Sequence, residues 1–222
     1  MDKFRILIIF LSTVIFFSCE ENESNNPNDN QVVNYWPMEV GNYWTFVDSS
    51  YNSDSDTWRV DTVTWFVSEK VLVNGKEYFS ISVTNNYPAI TSQIKWLFNI
   101  EENNIIAAGG TTPFDTLIAE SVLLKNTEIV GETWPYYHIV VSEETDLYVR
   151  DTVDMKMEEI SELNNTKYGI LNYKSCSFNF NIEEDIRTSS MYFSNNIGLI
   201  RIIGKENDEI IKISNLIEYN LE

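Results

Sequence analysis

Thiols and imidazoles are scarce in this chain, and that narrows the chemistry open to it: two cysteines, Cys19 and Cys176, and one histidine, His138. A Ser-His-Asp or Cys-His site could be built only around His138, because the nucleophile of such a site needs an imidazole to take its proton. The neighbours Tyr136, Tyr137, Ile139 and Val140 read as a strand, so a satisfied strand histidine is the simpler expectation. Cys176 alternates with Ser175 and Ser177 in a strand-like run and is expected to be a buried, inert thiol. Zinc-type spacing of His and Cys is absent. Asn52-x-Asp54-x-Asp56 opens like a calcium loop, but Thr57 and Val63 stand where that loop needs Gly and Glu, so a solvated hairpin tip is expected. Two carboxylates about 5 to 10 Å apart could hydrolyse a glycosidic bond, yet 34 acids make every pairing arbitrary. The sequence therefore names no catalytic, metal or cofactor site, and a non-enzymatic role is expected.

Cys19 is a different matter, because of what precedes it. Lys3 and Arg5 give a small basic start, and Ile6 to Phe17 are apolar except for Ser12 and Thr13. A spanning helix needs about 20 apolar residues, so the run is a signal-peptide core rather than a membrane span. It ends Phe16-Phe17-Ser18-Cys19, which resembles the bacterial lipobox. The resemblance implies diacylglyceryl transfer to the Cys19 thiol, cleavage after Ser18 and N-acylation of the new terminus. Several acyl chains make a durable anchor where one gives only marginal binding. The partner implied is a membrane, met through lipid on Cys19. Glu20 rather than Asp follows Cys19, unlike the signal that retains lipoproteins in the inner membrane of enteric bacteria. The acids Glu20, Glu21 and Glu23 resemble the signal that exports lipoproteins of Bacteroidota to the cell surface. A lipid-anchored protein of the outer membrane is expected, with its periplasmic or external face left open.

Residues 19–34 are rich in Asn and acid and poor in large apolar groups, which makes them a disordered tether. Removal of residues 1–18 would take Asp2, Lys3 and Arg5, leaving 33 acids and 13 bases and a net charge of −20. Nucleic acid is excluded as a partner, since neutralising phosphates takes clustered Lys and Arg. With Cys19 lipidated, Cys176 has no partner for a disulfide.

Residues 35–222 are long enough for one β domain with a real core. Val60–Val67, Tyr78–Val83, Ile94–Ile100, Tyr173–Phe180 and Ile210–Leu216 are short runs rich in Val, Ile, Thr and aromatics. Strict alternation in 79–83 and 176–181 predicts sheets with one wet face. Asn74-Gly75, Asn103-Asn104, Asn164-Asn165 and Asn195-Asn196 supply turn chemistry. About ten strands are expected, with only Thr116–Lys125 and Met155–Leu163 open to a helical reading.

Shifting the chain by 90 residues aligns Val40-Gly41 with Val130-Gly131, Trp44 with Trp134, Asp56 with Asp146 and Asp61-Thr62-Val63 with Asp151-Thr152-Val153. Glu69, Asn74 and Tyr78 then fall on Glu159, Asn164 and Tyr168. We read two similar β halves, 36–125 and 126–222, within one sheet system. The triplets at Asp61, Asp115 and Asp151, each Asp-Thr-apolar, resemble the short O-glycosylation motif of exported Bacteroidota proteins, and ordinary strand starts explain them as well.

The stretch Tyr35-Trp36-Pro37-Met38-Glu39-Val40-Gly41-Asn42-Tyr43-Trp44-Thr45-Phe46, with the later Asn196-Ile197-Gly198-Leu199-Ile200, resembles the opening and closing motifs of a family of Bacteroidota lipoproteins that carries no known activity. The resemblance implies an all-β antiparallel sheet curved into a half-open barrel similar to the lipoprotein carriers of the outer-membrane sorting pathway. It supplies no active site, and Trp44 and Trp134 are expected as core anchors of the two halves. Two functional classes follow. One is a binding or accessory lipoprotein whose concave face takes a glycan, a lipid or a partner protein; the other is a structural module of the envelope without a pocket. A lined apolar cavity would favour the first and a filled interior the second.

Overall fold

The computed structural model describes residues 34–53, 55–85, 94–112, 115–141, 147–165, 167–182 and 185–221. The chain divides into residues 1–32 and 33–222, and every described residue lies in the second unit. No helix occurs among the described residues, and Cys19 with its leader and tether lies outside them.

Twelve strands form one antiparallel sheet. The first half supplies β1 (Tyr43–Asn52), β2 (Thr57–Val73), β3 (Lys76–Asn85), β4 (Lys95–Glu101), β5 (Asn104–Thr111) and β6 (Thr116–Leu124). The second supplies β7 (Thr133–Val141), β8 (Leu147–Asn165), β9 (Gly169–Ile182), β10 (Asp185–Ser194), β11 (Gly198–Glu206) and β12 (Glu209–Asn220). The order is β6-β5-β4-β3-β2-β1-β12-β11-β10-β9-β8-β7, so each half is a six-stranded meander and β1 pairs with β12 at the centre. The expectation of about ten strands fell two short. Both segments open to a helical reading are strands, β6 and part of β8, because pairing and burial on a sheet override weak local helical preference.

The edges β6 and β7 turn toward each other, leaving a nearly closed barrel. The Trp134 indole N–H donates to the Val122 carbonyl at 2.7 Å and the Tyr137 amide to Ser121 Oγ at 3.1 Å. No backbone ladder joins these two strands among the described residues. Pro135 sits on β7, where a missing N–H is tolerated because the strand is an edge.

A few contacts recur at positions related by the offset of 90. Gly41 N–H donates to Val67 O at 3.0 Å and Val67 N–H to Asn42 O at 2.9 Å; Gly131 N–H donates to Met157 O at 2.7 Å and Met157 N–H to Glu132 O at 2.9 Å. Trp44 faces Trp65 across β1 and β2, and Trp134 faces Met155 across β7 and β8. Both second strands bulge at the same place, between Val67 and Glu69 and between Met157 and Glu159. Beyond the bulge the match shifts, since Val67 faces Ile81 whereas Met157 faces Cys176, five residues further than the offset predicts. The alignments of Asn74 with Asn164 and Tyr78 with Tyr168 therefore do not hold in space: Tyr78 is buried in β3, and Tyr168 lies in the β8–β9 turn. Asp146 lies outside the described residues.

Burial follows the concave face. Trp44, Phe46, Val67, Ile81, Met155, Met157, Cys176, Phe193 and Leu199 are almost wholly buried, which supports the reading of Trp44 as an anchor; Trp134 is buried with them. The expected wet face holds only in part. Ser80, Ser175 and Ser177 are buried, with Ser68 Oγ donating to Ser80 O at 3.1 Å and Ser177 Oγ to Glu158 Oε1 at 2.6 Å. Ser68 and Glu158 bond Ser80 and Ser177, pairings across strands that alternation of residue types cannot foretell.

Candidate functional site: the barrel lumen

The chain enters the barrel at Asn34, whose carbonyl accepts from the Asn196 amide at 2.7 Å. This base end carries the turns at 74–75, 102–103 and 195–197 and the linker 125–132. Trp36 closes it, almost fully buried. Its ring lies 4.9 Å from Phe98, 5.8 Å from Trp44, 5.8 Å from Phe193 and 6.2 Å from Trp65, mostly edge-on or tilted, the geometries aromatic quadrupoles favour. The Trp44 indole donates to Ile197 O. Gly198 makes the cluster possible, because a Cβ there would stand 2.6 Å from Trp36 Cδ1.

Above this plug the lumen holds a cavity of about 170 Å³. Trp65, Trp96, Phe98, Ala107, Tyr136 and Met191 are among the residues that line it. It draws on both halves, from β2, β4, β5, β6, β7, β10 and β11. None of the residues singled out as candidate chemistry in the sequence lies in this lining. Spacing gave one usable signal, the alternation of Trp96 with Phe98 on one strand face; the convergence of strands far apart in sequence gave none.

Further along the same face, toward the mouth, the lining becomes polar. Opposed residues of antiparallel strands share a face, and Trp44↔Trp65 and Phe46↔Val63 are followed by Asp48↔Asp61 and Ser50↔Arg59. Lys212 and Ser214 of β12 continue this row, and Arg187 and Glu206 meet on β10 and β11. The like charges of Asp48 and Asp61 are each met by a base: Lys212 Nζ is 3.1 Å from Asp48, and an Arg59 guanidinium nitrogen is 3.3 Å from Asp61. Arg187 lies 2.7 Å from Glu206. The lumen is apolar below and charge-paired above.

His138 also faces inward, opposite Asp151. Its ring packs 4.5 Å from Phe180 and 5.5 Å from Phe178. Nδ1 is buried, and no protein group hydrogen-bonds it. Burial lowers its proton affinity below the ordinary value, the Arg150 charge adds to this, and Asp151 opposes both. Cys176 is fully buried with Sγ 3.4 Å from Leu123 O, and burial, with Glu158 beside it, pushes the thiol far up. Thiolate chemistry is closed to it.

Of the calcium-like residues, Asp54 lies outside the described positions. Asp56 accepts from the Tyr51 hydroxyl at 2.6 Å and Asn52 Oδ1 from the Ser55 amide at 3.3 Å, a hydrogen-bonded hairpin tip. Among the described residues no three of His, Cys, Asp and Glu converge as a metal site. Thr62, Thr116 and Thr152 of the Asp-Thr-apolar triplets are all exposed.

No protein-family model matches the chain, and no curated protein matches it. Among solved structures it is similar to a Bacteroides fragilis protein described as exported with a YmcC-like fold, at 11% identity over 85% of this chain and 99% of the other, TM-score 0.49. It is similar also to a protein described as a lipoprotein from Parabacteroides distasonis, at 12% identity over 86% of this chain and all of the other, TM-score 0.43.

Proposed function

We propose that this chain is a non-enzymatic envelope lipoprotein, held at the outer membrane by lipid on Cys19, whose half-open barrel binds an apolar or amphipathic ligand. The cavity of about 170 Å³ carries the reading. Its lining is mostly apolar, and covering apolar surface with a ligand is favourable by about 25 cal/mol per Å² removed from water. A ligand that fills it gains that energy as affinity. Cavities near 150 Å³ lined by apolar side chains take up benzene, so this one suits an aromatic ring or the end of an acyl chain. The charge-paired row Asp48, Asp61, Arg59 and Lys212 gives the polar remainder of such a ligand a place at the mouth.

The test is titration of the mature lipoprotein in detergent below its micellar concentration with N-phenyl-1-naphthylamine, a neutral apolar fluorophore, followed by competition with dodecanol. Bright, displaceable binding is expected, with at least roughly tenfold loss in Ala107→Leu, which extends a side chain into the void. Absence of binding to the folded protein, or undiminished binding by a folded Ala107→Leu variant, would sink the proposal.

A further inference from the structure

A second cleft lies at the rim of the barrel, apart from the lumen cavity, where the β1–β2 and β11–β12 hairpin tips stand side by side; Glu206, paired with Arg187 at the mouth, forms one border of it. Tyr51 faces Trp58 across β1 and β2, and the opposed pair before it, Ser50↔Arg59, belongs to the inner face, so both rings project from the convex side. They are 37% and 48% exposed, and their centroids are 5.8 Å apart at 53°. Large aromatics left this open stand out in a chain that buries Trp36, Trp44 and Trp134. With Ile210, Ile211, Glu206 and Glu209 they border a cleft of about 520 Å³, within the roughly 300 to 1,000 Å³ usual for small-molecule sites.

The groups there are divided in their commitments. The Tyr51 hydroxyl is spent on Asp56 and the Glu206 carboxylate is held by Arg187, while Asn207 bonds Asp185 and the Ile186 amide. What remains is two aromatic faces, two isoleucines and the carboxylate of Glu209. We propose that this cleft is a binding site for a neutral saccharide. A pyranose offers an apolar C–H face that can lie on Trp58 or Tyr51, and an edge of hydroxyls that can donate to Glu209. Anionic sugars are disfavoured by Asp56, Glu206, Asp208 and Glu209 at the two tips and by the net charge of −19 on the whole chain. The site shares no residue with the lumen cavity, and its ligand is independent of the lumen's.

The experiment screens the mature lipoprotein in detergent against neutral hexasaccharides of α-linked glucose, β-linked glucose, xylose, mannose and N-acetylglucosamine. Binding is read by tryptophan fluorescence and calorimetry. At least one hexasaccharide is expected to bind, with roughly tenfold or greater loss in Trp58→Ala and in Tyr51→Ala, and no loss in Ala107→Leu. Circular dichroism confirms the fold of each variant. Binding should persist in about 1 M sodium chloride, where charges are screened beyond roughly 3 Å. The proposal is overturned if no hexasaccharide binds, if folded Trp58→Ala binds as well as the parent, or if the cleft instead takes hexalysine or choline in a manner abolished by salt.

Discussion

His138 shows how much a wall of the barrel can impose on one side chain. Phe178 and Phe180 remove water from its ring, Arg150 adds an unfavourable charge, and Asp151 across the strand pair offsets part of both. Its folded proton affinity lies below that of an exposed histidine, near 6.5, so on acidification the unfolded chain takes the proton first. Stability is therefore unaffected by this group well above pH 6.5 and falls as pH drops from about 6.5 toward the folded value. His138→Phe, which keeps the ring packing and removes the titration, is expected to flatten the decline that sets in below about pH 6.5 in urea unfolding curves. Glu158 acts in a separate, lower window. Burial pushes its carboxyl up, but the bonds from Ser177 and Lys156 outweigh this and hold it below the usual range, so its contribution is lost only as pH falls through that depressed value. The sequence showed a strand histidine; the depression of its proton affinity depended on the two rings of β9, Phe178 and Phe180, that the fold brings against it.

At the scale of elements, turns and bulges set what pairs with what. Asn74-Gly75 forms a two-residue hairpin with positive φ at both residues, as its sequence predicts. Glu102-Asn103 and Asn207-Asp208 do the same without glycine, which is why they are less legible. Gly109 has another role, because β5 and β6 slip register around it. Its φ is +126°, and a Cβ there would come within 2.0 Å of the Leu117 carbonyl oxygen. At Gly75, φ is +83° and nothing lies within 4 Å. Gly75→Ala is expected to cost about 1 kcal/mol of backbone strain, and Gly109→Ala about 3 kcal/mol or more because strand β6 must move aside. Urea denaturation would show the difference, and hydrogen exchange should place the extra opening in β6. Equal costs would mean that the β5–β6 register does not depend on Gly109.

The whole molecule is two meanders joined at β1 and β12, with free edges that meet without a ladder. Edge strands invite pairing with other chains, and here each covers the other while Pro135 blunts β7. Net charge, −20 without residues 1–18, adds mutual repulsion between copies. The chain enters at the base, beside Asn196, so the mouth and the Tyr51–Trp58 cleft lie at the opposite end. Lipid on Cys19 would hold the protein by roughly 0.8 kcal/mol per buried CH₂. Cys19→Ser, which removes the thiol that would carry the lipid, is accordingly expected to give a product without acyl mass that stays uncleaved after Ser18, as read by intact mass. A Cys19→Ser product that is still cut between residues 18 and 19 and is as membrane-bound as the parent would refute lipid anchoring.

Much of this architecture was written locally. Alternating β-branched and aromatic runs and turn residues were enough for an all-β antiparallel sheet, because pleat and turn geometry act over a few residues. The same locality left the lipobox resemblance readable without any fold. Strand count, the five-residue lengthening of the second long hairpin and the buried serines were decided by pairing and by neighbours on other strands. So was the cavity: Trp65, Trp96, Tyr136 and Met191 are ordinary core candidates in sequence, and only the curvature of twelve strands, which stops short of filling the space between them, makes them the walls of a site.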